Sequence, residues 1–247
     1  MSDPLLEVRD LCCYFGGLRA LDGVNLRVQR GTVHGVIGPN GAGKTTLFNV
    51  ITGRIRPTAG RVFFQGRDIT HLPQHEIARI GIARSYQITT IFKHLTVIDN
   101  VRIALQRAYA FHLWWDSKSL KDIEKDSANI LESVGILPKA HLLASQLSHG
   151  EQRHLDIAIA LACRPTLLLL DEPTAGMSPK ETEDVARLID SLRKDLTIVL
   201  VEHKMQVVMT LCDRITVLHF GRVLAEGAPS EVRSDPRVQE AYLGRTA

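Results

Sequence analysis

Valine and leucine recur with partial alternation over residues 5–15 and again over 24–37, the period-two pattern that predicts half-buried strands. A glycine-rich turn begins at Gly38, and a helix is expected to start inside it. Residues 60–68 read as another strand that Gly66 interrupts. After Ser85 the period changes. Residues 96–109, 119–134 and 151–163 place apolar side chains at helical spacing, which predicts an inserted helical subdomain. The strand signal returns at 166–170 and 196–201, alternating with helices at 179–192 and 205–212, and a hairpin is expected over 215–226 around Gly221. Such alternation implies a mostly parallel sheet with helices on both faces. Residues 111–118 hold both tryptophans and read as a connector between helices.

Composition narrows the classes. The 247 residues carry 30 Lys+Arg against 27 Asp+Glu, a formal charge of +3, which is thin for a nucleic-acid binder, and no nucleic acid is expected as a partner. With 45% hydrophobic residues the chain can bury a substantial core as one domain or one and a half. Its apolar runs at 157–163, 167–170 and 197–201 fall short of the roughly 18 residues that suggest a membrane span. The first residues, Met-Ser-Asp-Pro, lack the basic start and apolar run of a signal peptide, so a cytosolic location is expected. Cys12, Cys13, Cys163 and Cys212 form no CxxC pair and are expected to serve as small buried packing in a reducing compartment.

The chemistry concentrates in three places. Gly38-Pro39-Asn40-Gly41-Ala42-Gly43-Lys44-Thr45 matches GxxxxGK[ST], between an apolar strand and a helical stretch that begins at Thr46. Glycines let backbone N–H groups converge on an anionic oxygen, the helix N-terminus adds a favourable dipole, Lys44 can reach β- and γ-phosphates, and Thr45 offers a hydroxyl to Mg²⁺. ATP binding is therefore expected of Gly38, Pro39, Asn40, Gly41, Ala42, Gly43, Lys44, Thr45 and Thr46. Next, an apolar strand runs into Asp171-Glu172, which can set Asp171 near Mg²⁺ and Glu172 near an attacking water. Finally, Leu147-Ser148-His149-Gly150-Glu151-Gln152 contains a capping box, Ser148 with Glu151 three residues on, that opens a helix and makes another anion site.

In this order the motifs resemble the nucleotide-binding subunit of an ABC transporter, whose signature is similar to LSGGQ. The resemblance spans nearly the whole chain and implies an α/β fold: a P-loop NTPase core with a mostly parallel sheet, an N-terminal antiparallel β portion and an inserted α-helical subdomain. Residues 1–247 would form a single ATPase domain, with 1–87 and 165–247 as the core and 88–164 as the helical subdomain. It further implies that Ser148, Gly150 and Glu151 meet the ATP of a partner subunit, that Gln87 and Asp171 join Thr45 at Mg²⁺, and that Gln87 and His203 join Glu172 in catalysis. Phe15 matches the aromatic that stacks on adenine, with Tyr14 as its fallback. The expected cofactors are ATP and Mg²⁺. Partners would be integral membrane permease subunits, a second ATPase subunit in a homo- or heterodimer and, indirectly, an external solute-binding protein, with the chain peripheral on the inner face of a bacterial membrane.

FGGLRALDGVNL, ARSYQ, LSHGEQ, DEPTAGMSP, VEHKM and PRVQEAYLG look most like the ATPases of importers for branched-chain amino acids, with urea and amide importers as close cousins. A soluble ABC ATPase of DNA repair or translation is the rival class. Ile91, Phe92 and Leu95, with Trp114 and Trp115, are candidates for a groove that receives a permease helix. Three positions depart from the family pattern: His149 for glycine in the signature, Ser178 where a loop usually ends in aspartate, and Lys204 where aspartate follows the histidine. Ser178-Pro179-Lys180-Glu181 also reads as a capping box with proline at the first helical position.

Overall fold

The structure, a computed structural model, describes residues 3–85, 91–108 and 117–243. Strands β1 (Leu6–Phe15) and β2 (Leu18–Val28) form an antiparallel hairpin in which Leu6 faces Val28 and Phe15 faces Leu18. β4 (Ala59–Phe64) and β5 (Arg67–Asp68) extend it into a four-stranded antiparallel sheet of order β2-β1-β4-β5. The second sheet comprises β3 (Val33–Ile37), β6 (Ile82–Ser85), β7 (Leu167–Asp171), β8 (Thr197–Val201), β9 (Arg214–His219) and β10 (Arg222–Gly227). Its order is β10-β9-β3-β8-β7-β6, parallel from β9 through β6, with β10 added antiparallel at one edge.

β3, β7 and β8 are buried at every position. That follows from covering both faces of a parallel sheet, and it is why these strands read as unbroken apolar runs. The period of two divides them between two cores. Val36, Leu167, Leu169, Val199 and Val201 meet the antiparallel sheet and α1 (Lys44–Ile51). Ile37, Leu168, Leu170, Ile198 and Leu200 face the opposite core, which holds residues of α3 (Val97–Ala108), α4 (Ser117–Ser133), α5 (His149–Ala162), α6 (Pro179–Leu192) and α7 (Met205–Leu211). Truncating one of these buried leucines to alanine costs roughly 2–5 kcal/mol. α2 (Gln74–Arg79), α8 (Pro229–Ser234) and α9 (Pro236–Leu243) complete the chain.

Most expected elements are present within a few residues, and the helix at 179–192 has the expected bounds. The stretch 24–37 is two strands rather than one pattern: β2 begins at Leu18, and Gly31, at φ +73°, turns the chain before β3. β6 and α2 are additions to the expected elements. They hold four and six residues, too few to show a period. Of the cysteines, Cys13 and Cys212 are buried, whereas Cys12 and Cys163 are only partly so, which corrects the expectation of buried packing for all four. Trp114 and Trp115 lie outside the described residues. Among the described residues no helix is long and apolar enough to cross a membrane.

Candidate nucleotide site

β3 feeds directly into the glycine-rich loop, whose backbone fits only because two positions lack a side chain. At Gly38 (φ +149°) a Cβ would collide with the Leu218 carbonyl oxygen of β9. At Gly43 (φ +104°) it would lie 2.5 Å from the Ala20 carbonyl oxygen. Gly43 is also the N-cap of α1, and among the described residues no side chain caps this helix and no acid occupies its first turn. The N-cap itself thus supplies no side-chain acceptor, and the helix dipole favours an anion there. Lys44 is buried, its Nζ donating to the carbonyls of Gly38 (2.7 Å) and Pro39 (2.9 Å). Asn40, Gly41 and Thr45 are exposed, Pro39, Gly43 and Thr46 partly so, and Ala42 is buried.

Two aromatics end β1. Phe15 is 47% exposed. Tyr14 is engaged: its hydroxyl donates to Asp22 Oδ1 at 2.8 Å, and the Arg19 guanidinium lies 5.7 Å from its ring centroid. Cys12 and Asp22 beside the hydroxyl push its pKa up to about 12. Phe15 is the more exposed ring of the two.

β7 delivers Asp171 and Glu172 beside β8. Asp171 Oδ2 accepts from Arg84 Nη2 at 2.6 Å, with both side chains about 95% buried (4% and 5% exposed). Arg84 also donates to Asn49 Oδ1 of α1 at 2.8 Å. From α5, Arg153 Nη2 donates to the Asp171 carbonyl at 2.7 Å and pairs with Asp156, which accepts from Ser85 Oγ at 2.5 Å. Thus α1, β6, β7 and α5 are cross-linked around one carboxylate. Glu172 holds a left-handed backbone (φ +46°), its N–H donates to the Val201 carbonyl at 2.8 Å, and its Oε1 lies 2.7 Å from His203 Nε2.

Glu202, buried between them, accepts from the Thr174 N–H (3.0 Å) and hydroxyl, the His203 N–H (2.8 Å) and the Lys204 N–H (3.1 Å). Sequence reasoning missed Arg84, Arg153, Asp156 and Glu202. The signal for Glu202 was available: an apolar parallel strand ending in a carboxylate, as at β7. Gln87 lies outside the described residues.

The signature turn has the expected cap. Ser148 Oγ accepts from the Glu151 N–H at 3.3 Å, and Glu151 Oε2 accepts from the Ser148 N–H at 3.0 Å. Glu151 also pairs with Lys139, which holds its pKa below the ordinary carboxylate value. Ser178 and Glu181 form the same box at α6. Glu181 Oε1 further accepts from the Gly150 N–H at 3.3 Å, so one carboxylate touches both helix starts.

A glycine loop, a carboxylate pair at the end of a parallel strand and a capped helix between them define a nucleotide-binding ATPase cassette. Residues 21–175 match the family described as ABC transporter, and the chain belongs to that family. Its similarity is sharper at the C-terminus, where residues 222–247 match the branched-chain amino acid ATP-binding cassette transporter model. The high-affinity branched-chain amino acid transport ATP-binding protein BraF of Pseudomonas aeruginosa is 43% identical, with 99% of each chain covered. LivG of Escherichia coli, named for the same transport, is 41% identical over the same share. A solved nucleotide-free ATP-binding cassette from an ABC transporter matches with a TM-score of 0.86 at 34% identity, covering 97% of this chain and 98% of that one. A dimeric cassette in a post-hydrolysis state, bound to ADP and Pi, matches at 0.78 and 27%, covering 91% and 98%. The expected P-loop α/β fold is therefore the observed one.

Proposed function

We propose that this chain is the ATP-hydrolysing subunit of an importer for branched-chain amino acids, closing as a dimer over two ATP molecules and reopening after hydrolysis. The observation that carries the catalytic part is the Glu172–His203 contact of 2.7 Å, on a backbone turn tied to Val201. Glu172 takes a proton from the attacking water, and His203 contacts the γ-phosphate. Lys44 and the backbone N–H groups between Gly38 and Thr46, Pro39 excepted, hold the phosphates, and Phe15 stacks on adenine. Ser148 and Gly150, ordered by Glu151, contact the ATP of the second subunit.

Thr45 and Asp171 are hard oxygen donors of the kind Mg²⁺ takes, and Gln87 would add an amide oxygen. Arg84 takes Oδ2 of Asp171, and a carboxylate accepts at both oxygens, so the donor set fits the ion. When bound, Mg²⁺ neutralises phosphate charge. As domains, 1–87 and 165–247 form the ATP-binding core and 88–164 the helical subdomain, a division supported by the mutual packing of α3, α4 and α5.

Import requires integral membrane permease subunits, which in turn meet an external solute-binding protein, and it sets this chain on the inner face of the cell membrane. Phe92, 55% exposed, and Leu142 and Leu143 lie on a short paired segment in which the Ser145 N–H donates to the Lys93 carbonyl at 3.1 Å. They make the apolar surface for a permease helix. Ile91 is buried in the core and does not belong to that surface, contrary to expectation.

One experiment tests the reading. Glu172→Gln should keep ATP binding, lower hydrolysis by about 10²–10⁴ and stop uptake of labelled leucine, isoleucine or valine in cells that depend on this chain. In the same cells Phe92→Asp should keep basal hydrolysis yet leave the membrane fraction. Hydrolysis at the parent rate after Glu172→Gln would overturn the assignment.

A further inference from the structure

Position 204 departs from its family's usual aspartate, and the structure gives the lysine a definite task. Lys204 follows His203 in the turn between β8 and α7, and its backbone N–H is held by the buried Glu202. Its Nζ reaches across to the first turn of α6, donating to Thr182 Oγ1 at 2.7 Å and lying 3.4 Å from the Met177 carbonyl oxygen. An ammonium donates but cannot accept, so a hydroxyl and a carbonyl suit it, and an aspartate could not donate to the carbonyl. On the other side of the turn, Glu202 grips the N–H and hydroxyl of Thr174. His203 thus sits between two fastenings, both anchored on the segment that follows the acidic pair. Its imidazole spans the gap to Glu172.

We infer that Lys204 is a positioning residue for ATP hydrolysis, fastening the His203 turn to the first turn of α6 so that the imidazole stays on the Glu172 carboxylate. The inference rests on the proposed roles of Glu172 and His203. The anchor on α6 has a second consequence, because Glu181 of that turn also accepts from the Gly150 N–H of the signature. The fastening therefore joins the histidine turn to the element that touches the signature helix.

Lys204→Met keeps the length and apolar stem of the side chain while removing its donor. In the full chain it should lower kcat about tenfold, the effect of losing one hydrogen bond to a charged group, with KM for ATP changed less than about twofold. The imidazole NMR signal of His203, assigned by its loss in His203→Gln and read without nucleotide, should shift toward that of a solvent-exposed histidine. Lys204→Arg should restore both readouts in large part. Thr182→Val removes the other half of the contact and should reproduce the loss, and the double variant should be no worse than either single one. An unchanged His203 signal, an unchanged kcat, or additive effects of Lys204→Met and Thr182→Val would overturn the inference. A shifted signal in Lys204→Met together with parent-rate hydrolysis in Glu172→Gln would instead locate the failure in the assigned role of Glu172.

Discussion

The starts of α1 and α5 differ both in backbone and in how they are filled: Gly43 enters its helix from the left-handed region, Ser148 from an extended one. α1 opens at Gly43, with no capping side chain and no acid in its first turn among the described residues. α5 opens at Ser148, which closes a box with Glu151, while Glu181 takes the Gly150 N–H. One helix start has no cap from its own N-cap residue, whereas the other is closed by a serine hydroxyl and two carboxylates of its own chain. On the proposed function, α1 and its loop bind phosphate within their own subunit, whereas the signature must exchange the Glu181 carboxylate for a phosphate brought by a second subunit. The cost of that exchange weakens the contact between the subunits.

Three changes would break or sharpen that contrast. The largest effect belongs to the glycine-shaped end. Gly38→Ala brings its Cβ onto the Leu218 carbonyl, so ATP binding measured by titration calorimetry should be lost and the fold weakened by more than the ~1–3 kcal/mol of backbone strain alone. At the other helix, Ser148→Ala should cost about 1 kcal/mol in urea unfolding and leave ATP binding by the isolated subunit unchanged.

The smallest effect is a pH dependence. Lys139 and the Ser148 amide hold the Glu151 carboxyl below its ordinary 4.5. Its stabilisation is therefore present above about pH 4.5 and lost as pH falls through the lower folded value. Glu151→Gln should narrow the gap between melting temperatures at pH 7 and pH 3, a comparison that cancels the other carboxylates.

What was legible in the sequence was local. Both capping boxes lie within three residues, as does Pro179 at the start of α6, and each forms as expected. The glycine loop declares itself because its conformation demands particular residues in a row. What escaped detection depends on partners far along the chain. Arg84, in a four-residue edge strand, looks like a surface charge until Asp171 arrives 87 residues later to bury with it. Removing one member of such a pair costs roughly 3–5 kcal/mol, so it is a structural commitment that no window of sequence displays. Glu202 escaped for a related reason: its neighbour His203 carried the recognisable pattern, while the carboxylate's four bonds run partly to Thr174 on another loop.

Glu172 sits in the left-handed region at φ +46°, where any residue with a Cβ is under tension. Glycine would relax that turn, yet glycine carries no carboxylate. On the proposed function, Glu172→Gly would exchange hydrolysis for a relaxed turn, so the ease of this backbone and its chemistry pull on one residue in opposite directions.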